Sequence, residues 1–411
     1  MHQPIQRRRF ARLLTSVGLS AAGVSTWLGS LVGEAAAAAE ETPRFKRCVT
    51  LWMQGGPSQF ETFDPKPGTE TCGPLGAVST AVTGMHFSQT LPKLAGQADD
   101  LCVLRSIGST QGEHERATHL LHTGYERIAS FPRPALGSFI VKENHSGITP
   151  GFVTLGDQVF GSAFLGAQHG PFVIGDLTRT RETIDRVGRR AGQLDLVSEL
   201  NRRFSSFGNQ QESDDRSEAI DGIRRLLGSS FSKALDFDQE SQSTLTRYGD
   251  GDFGQRVLVA RRMLEAGVSY VEVQMPGWDT HVNNFDAVNR LCSQLEPAWI
   301  ALMQDLKSSG LWDDTLILWM GEFGRTPGIN GGNGRDHYPQ NIPVVMAGHD
   351  IGGRVIGSTG TEGRTHRDQP QSVADLMYTL LTMFGIDPEQ ELTTTFGSPT
   401  TATDQGKLIP G

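Results

Sequence analysis

Three short apolar runs in this chain each break off into a loop dense in glycine and reactive side chains. That pattern constrains the fold more than any other feature. Residues 48–53 lead into Gln54-Gly55-Gly56-Pro57-Ser58, and residues 268–273 into Gly277-Trp278-Asp279-Thr280-His281. Residues 315–320 lead into Gly321-Glu322-Phe323-Gly324-Arg325-Thr326, and a glycine-rich stretch then reaches Gly334-Arg335-Asp336-His337. Continuous apolar runs of this length are the pattern of strands buried on both faces. Residues 101–104, 152–155, 171–174 and 342–346 read the same way. Residues 114–123, 257–264, 287–306 and 373–384 carry helical spacing, with Gly124 and Gly385 at C-cap positions. Strands alternating with helices predict an α/β fold, a mostly parallel sheet sandwiched by helices. All three rich loops then fall on the carboxyl edge, where such sheets place their ligands.

Residues 181–250 differ in character: charged, rich in Ser and Gln, yet with helical apolar spacing at Leu194, Val197 and Leu200 and again at Ile220, Ile223 and Leu227. They predict a helical insertion within one α/β domain spanning residues 40–411. Ahead of it, Arg7-Arg8-Arg9-Phe10 precedes an apolar run over 13–32 and an alanine tract, Ala35 to Ala39. That order is a signal peptide over 1–39, and the paired arginines with a Gly- and Ser-diluted core favour the twin-arginine route. The competing reading is an N-terminal anchor, since the run is about long enough to span. A periplasmic or extracellular protein with no stable membrane span after processing is expected. With 37 Lys+Arg against 46 Asp+Glu, no basic excess exists to neutralise a phosphate backbone, so no nucleic-acid partner is expected. The four cysteines show no CxxC spacing, which argues against a thiolate zinc site.

The reactive residues suit a cation. Asp279 and His281 are two apart, so in an extended loop they point the same way; Asp336, His337 and Glu322 add to the set. Imidazole mixed with carboxylate suits Zn or Mn, also Fe, ahead of Ca, which wants oxygen alone. The competing reading is that Asp279 caps the following helix and His281 packs in its first turn. On helix 114–123, His114, Thr118 and His122 share one face, with His119 on the adjoining one. They offer a ligand, a proton donor or only a polar face. Arg116, Arg325 and Arg335 are candidate anion clamps, though a salt bridge is the commoner fate of an arginine.

These same residues carry a resemblance. Met53-Gln54-Gly55-Gly56-Pro57-Ser58, Phe63-Asp64-Pro65-Lys66-Pro67, His122-Thr123-Gly124, Gly277-Trp278-Asp279-Thr280-His281, Gly321-Glu322-Phe323-Gly324-Arg325-Thr326-Pro327 and Gly334-Arg335-Asp336-His337 resemble domain-of-unknown-function family 1501. Those are exported proteins placed in the alkaline phosphatase-like and sulfatase-like superfamily. The resemblance implies an alkaline phosphatase-like core, and Asp279, His281 and His337 as metal ligands. Glu322 stands where the superfamily has the Asp of an Asp-His pair, but Phe323 replaces the His. Gln54 stands where a first-strand Asp ligand is expected, and His114 falls near the nucleophile position. Ser58 and Thr118 are the hydroxyls left as candidate nucleophiles. One or two divalent ions are implied. Two functions follow: an exported metal-dependent hydrolase of small-molecule or polymer-borne phosphate or sulfate esters, with Arg325 or Arg335 stabilising developing charge, or a non-catalytic scaffold that retains the fold and one metal. Oligomeric state is not legible.

Overall fold

The structure is a computed structural model describing residues 43–144, 150–205, 217, 220, 223–224, 226–227 and 230–410. The expected signal peptide and part of the expected insertion lie outside the described residues.

Among the described residues, nine strands form one sheet: β1 (Arg47–Met53), β2 (Leu101–Gly108), β3 (Phe152–Leu155), β4 (Pro171–Ile174), β5 (Tyr270–Met275), β6 (Thr315–Met320), β7 (Ile342–Ala347), β8 (Arg354–Ile356) and β9 (Gln371–Ser372). Their order is β8-β2-β7-β6-β1-β5-β3-β4, with β9 also beside β2. Only β7 runs antiparallel to its neighbours β2 and β6; the other pairings are parallel. The fold is α/β with a largely parallel central sheet.

Alternation along β1 shows how the core is split. Val49, Leu51 and Met53 join one apolar cluster and Cys48 and Trp52 the other, because successive side chains leave opposite faces of a strand. The main helices are α1 (His114–Thr123), α2 (Leu136–Asn144), α3 (Leu177–Gly188), α4 (Ala191–Ser205), α5 (Gln242–Tyr248), α6 (Asp252–Glu265), α7 (Asn284–Ser309) and α8 (Val373–Met383). Helices α6 and α7 cover the first face; α1, α2 and α8 cover the second. Trp319 is wholly buried beneath Phe63, Trp278 and Trp299, and truncating such a side chain costs about 3–5 kcal/mol. All four cysteines are free, and no helix among the described residues is long and apolar enough to cross a membrane.

Register places the three rich loops together. Met53 lies opposite Met275, and Trp52 opposite Met320, so β1, β5 and β6 end side by side. Strand β5 starts two residues later than the apolar pattern predicts. Gly267 takes φ +93°, and Val268 N–H closes the turn on Met263 O at 3.0 Å, so residues 267–268 finish α6. The strand continues through Glu272 and Gln274, polar residues buried by partners the sequence does not reveal.

Candidate metal centre

Beyond β6 the chain forms a two-stranded antiparallel ribbon, Gly324–Arg325 against His337–Tyr338. The ribbon brings the Asp336-His337 pair back over the ends of β1 and β5. Gly55, at φ +116°, lets the loop after β1 press against the loop after β5, since a Cβ there would collide with Asp279 N. Gly55 N–H then donates to Glu322 Oε1 at 2.9 Å, tying the β6 loop to the same point. The fourth contributor is α1, whose first residue is His114; Glu113 caps it by accepting from the Glu115 and Arg116 N–H groups.

Four side chains meet where these elements converge. Donor atoms of His114, Asp279 and His337 all lie within 4.8 Å of one another. His114 Nε2 is 3.4 Å from Asp279 Oδ2, and His337 Nε2 is 3.1 Å from Asp279 Oδ1. His281 Nε2 is 3.2 Å from the same Oδ1 and 3.0 Å from His337 Nε2.

The other ring nitrogens settle which protons are present. His114 Nδ1 is 2.8 Å from Glu322 Oε1, His281 Nδ1 is 2.8 Å from Asp336 Oδ1, and His337 Nδ1 is 2.8 Å from Gly112 O. Each partner is an acceptor, so each Nδ1 is the donor and, in the neutral ring, each Nε2 is a bare lone pair. With all three rings neutral, three bare nitrogens turn toward one carboxylate, two of them 3.0 Å apart. Lone pairs packed in this way repel unless a proton or a cation lies between them. A histidine whose outer N–H is held by an oxygen acceptor, with its other nitrogen turned inward, is the usual arrangement around a bound metal. The residues fit a divalent ion, and three nitrogens with one carboxylate favour Zn or Mn over Ca.

Charge is tuned to the same end. Burial pushes the half-exposed Asp279 carboxyl up, but hydrogen bonds from the Arg325 guanidinium and from a protonated His337 Nε2, whose proton a bound ion would displace, outweigh it and hold it at about 2. The bond to Glu322 raises His114, whereas burial lowers His337 against the opposing pull of Gly112 O and Asp279. The bond from His281 holds Asp336 below the usual carboxylate range.

The expected residues divide clearly. Asp279, His281 and His337 come together, and His114, the first residue of α1, joins them as a further candidate ligand. Glu322 and Asp336 act as acceptors that orient His114 and His281. Phe323 stacks on the His337 ring at 4.1 Å and closes off space beside the cluster.

Both arginines expected to face an anion are instead wholly buried. Arg325 donates to Asp279 Oδ1 at 2.6 Å and to the carbonyls of Gly55, Gly56, Trp278 and Arg335, so each of its three nitrogens is engaged within the protein. Arg335 pairs with Glu61 at 2.8 Å and donates to the carbonyls of Thr71, Thr326 and Pro327, clamping loops. Ser58 is fully buried with an unpartnered hydroxyl, and Thr118 is buried within α1. Sequence reasoning missed Gly112, whose role is played by a backbone carbonyl that any residue would supply.

A TAB5 alkaline phosphatase mutant with Mg bound is similar in structure, at 12% identity and a TM-score of 0.38, over 84% of this chain and 100% of that one. The PsFucS1 sulfatase from Pseudoalteromonas sp. is similar at 12% identity and 0.40, over 87% of this chain and 70% of that one. A protein in the alkaline phosphatase superfamily from Vibrio parahaemolyticus is similar at 14% identity and 0.36, over 84% and 68%. No curated protein matches in sequence. Residues 45–411 match the model of the family described as "Protein of unknown function (DUF1501)", and the chain belongs to that family.

Proposed function

We propose that this member of the family is an exported, metal-dependent hydrolase of phosphate or sulfate esters working at one divalent ion. His114, Asp279, His281 and His337 would hold the ion. The observation that supports this most is the convergence of three Nε2 atoms on Asp279, with His281 and His337 in nitrogen-to-nitrogen contact at 3.0 Å. When bound, a divalent ion there supplies a Lewis acid for an ester oxygen and makes water acidic enough to attack at neutral pH.

The chain's own residues do the rest. Glu322, Asp336 and Gly112 O hold the ring protons on Nδ1, fixing each Nε2 as a ligand atom. Arg325 keeps Asp279 ionised and aimed inward. Because Ser58 and Thr118 are buried, the attacking group in this reading is water and no side-chain hydroxyl. Export by the twin-arginine route fits a centre assembled before translocation. Replacing Arg7, Arg8 and Arg9 by Lys should strand the protein in the cytoplasm, and unchanged export would remove that part of the proposal.

Phe323 and Glu322 favour a second reading in one respect. They occupy the positions where a second ion's ligands are expected, which suits a non-catalytic protein that retains one metal. Purified protein loaded with Zn or Mn separates the two when assayed on p-nitrophenyl phosphate, bis-p-nitrophenyl phosphate and p-nitrophenyl sulfate. The hydrolase reading expects metal-dependent turnover of at least one ester, lost in Asp279→Ala. One ion per chain with no turnover on any ester would leave the scaffold.

A further inference from the structure

The three rings of the candidate centre rest on acceptors of unequal rigidity. His337 Nδ1 donates to the Gly112 carbonyl, which the backbone itself fixes. His114 Nδ1 donates to Glu322, which is 1% exposed and tied down by the Gly55 N–H. His281 Nδ1 donates to Asp336, whose side chain is 56% exposed. A carboxylate that open turns freely into water unless a second group holds it.

That group is Asn330, in the Gly-rich stretch between the two ribbon strands. Its Nδ2 lies 3.1 Å from Asp336 Oδ1, the same oxygen that accepts from His281 Nδ1, and 3.0 Å from the His281 carbonyl oxygen. Its Oδ1 accepts from the Gly332 and Gly334 N–H groups at 3.0 and 2.9 Å. Two acceptors on one side and two N–H donors on the other allow one orientation of the amide, so its NH2 group faces the histidine. Both of its protons serve His281: one meets the backbone carbonyl, the other the oxygen that holds the ring. Among the described residues, the Asp336 carboxylate has no third hydrogen-bond partner.

The loop around Asn330 is built for that reach. Asn283 N–H donates to Gly332 O at 3.0 Å, Asn284 N–H to Asn333 O at 2.9 Å and Arg335 N–H to Thr280 O at 3.2 Å. These bonds lace residues 330–335 to the chain on either side of His281. The approach is so close that a Cβ on Gly334 would fall 1.8 Å from His281 O, which only glycine avoids.

We propose that Asn330 is the positioning residue of the His281 arm: it holds Asp336 Oδ1 where the His281 Nδ1 proton meets it, and so turns Nε2 toward Asp279. It acts through Asp336 and the His281 backbone and occupies no ligand position itself. An uncharged amide suits the task, because a carboxylate at this place would lack both donors and repel Asp336. That the oriented Nε2 serves an ion rests on the metal-centre reading above; the orientation of the ring does not.

Two variants separate positioning from turn formation. Asn330→Ala removes the whole amide, whereas Asn330→Ser keeps a short oxygen for the Gly332 N–H but cannot span to Asp336. In metal-free full-length mature protein carrying isotope-labelled histidine, at a pH where the rings are neutral, NMR reads which His281 nitrogen holds the proton. Wild type should show it on Nδ1, and both variants should shift population to Nε2. Zinc affinity by chelator competition should fall about tenfold in each, the low end for a lost outer partner. Added to His281→Ala, Asn330→Ala should weaken the zinc binding that remains no further. Thermal melts report folding, and Asn330→Ser decides the matter if Asn330→Ala does not fold. A wild-type tautomer or wild-type zinc affinity in a folded variant would overturn the proposal. So would a further tenfold loss on top of His281→Ala, since the residue would then act through the fold of the loop. A tautomer shift in the variants of a protein that takes up no zinc would leave the positioning role standing while the metal centre fails.

Discussion

His114 and His122 sit on one face of the same ten-residue helix, two turns apart, and have opposite fates. His122 is 3% exposed, stacked against Phe160 at 4.0 Å, with Nδ1 on Thr118 O at 2.7 Å and Nε2 on Glu272 at 3.1 Å. Both of its nitrogens meet protein acceptors. His114 gives Nδ1 to Glu322 but leaves Nε2 facing Asp279 at 3.4 Å, among two other imidazoles. Residue type and helix face are shared; what differs is that His122 has its carboxylate to itself in the core, whereas His114 shares Asp279 with the His281 and His337 rings. A ring with a buried carboxylate to itself is matched within the protein, and a ring that shares one carboxylate with two others is only half matched and is the candidate ligand.

The largest expected effect is on the half-matched side. Asp279→Ala should abolish metal uptake, measured by elemental analysis after dialysis, because it removes the one anion all three rings face. Retained metal would break the comparison at its centre.

The matched side should fail in a different quantity. His122→Ala strands Glu272, 2% exposed, without its ring partner, although Gln274 Nε2 still donates to it at 2.7 Å. Removing one member of a buried pair of this kind costs about 3–5 kcal/mol, read by denaturant unfolding, with metal content per folded chain unchanged. A His122→Ala protein of normal stability that no longer bound metal would reverse the assignment of the two histidines.

A smaller effect is expected from the acceptors that orient the rings. Glu322→Gln and Asp336→Asn should weaken metal affinity about 10–100-fold without abolishing it. Fluorescent-chelator competition measures this, and unchanged affinity in both would mean that the outer contacts are incidental.

The smallest effect is a shift along the pH axis. Metal needs the neutral ring, so uptake should rise with pH through the histidine range. The Glu322 bond raises His114 above 6.5, so in wild type proton competition at this ring persists to higher pH. Glu322→Gln relaxes that shift, and its uptake curve should rise at lower pH even though its plateau affinity is weaker. A curve moved to higher pH would contradict the role given to Glu322.

The sequence shows the sheet edge clearly because apolar runs ending in Gly-rich loops arise from backbone geometry, which is local. It shows Asp279, His281 and His337 for the same reason. The antiparallel β7 was not legible, since strand direction is set by the connection and not by the run itself. Nor was the buried state of Arg325 and Arg335: an arginine beside glycines reads as an anion clamp until the carbonyls of Gly55, Gly56, Thr326 and Pro327 are seen to fill its donors. The Glu272–His122 contact spans 150 residues of sequence, and nothing local announces it.

The most direct test is the metal content of purified mature protein and of its His114→Ala, His281→Ala and His337→Ala variants, measured by plasma mass spectrometry after removal of loosely held ions. A centre built from three bare nitrogens and one carboxylate predicts close to one transition-metal ion per wild-type chain. It also predicts a substantial loss in each variant, with folding intact. No bound ion in wild type, or full occupancy in all three variants, would contradict it.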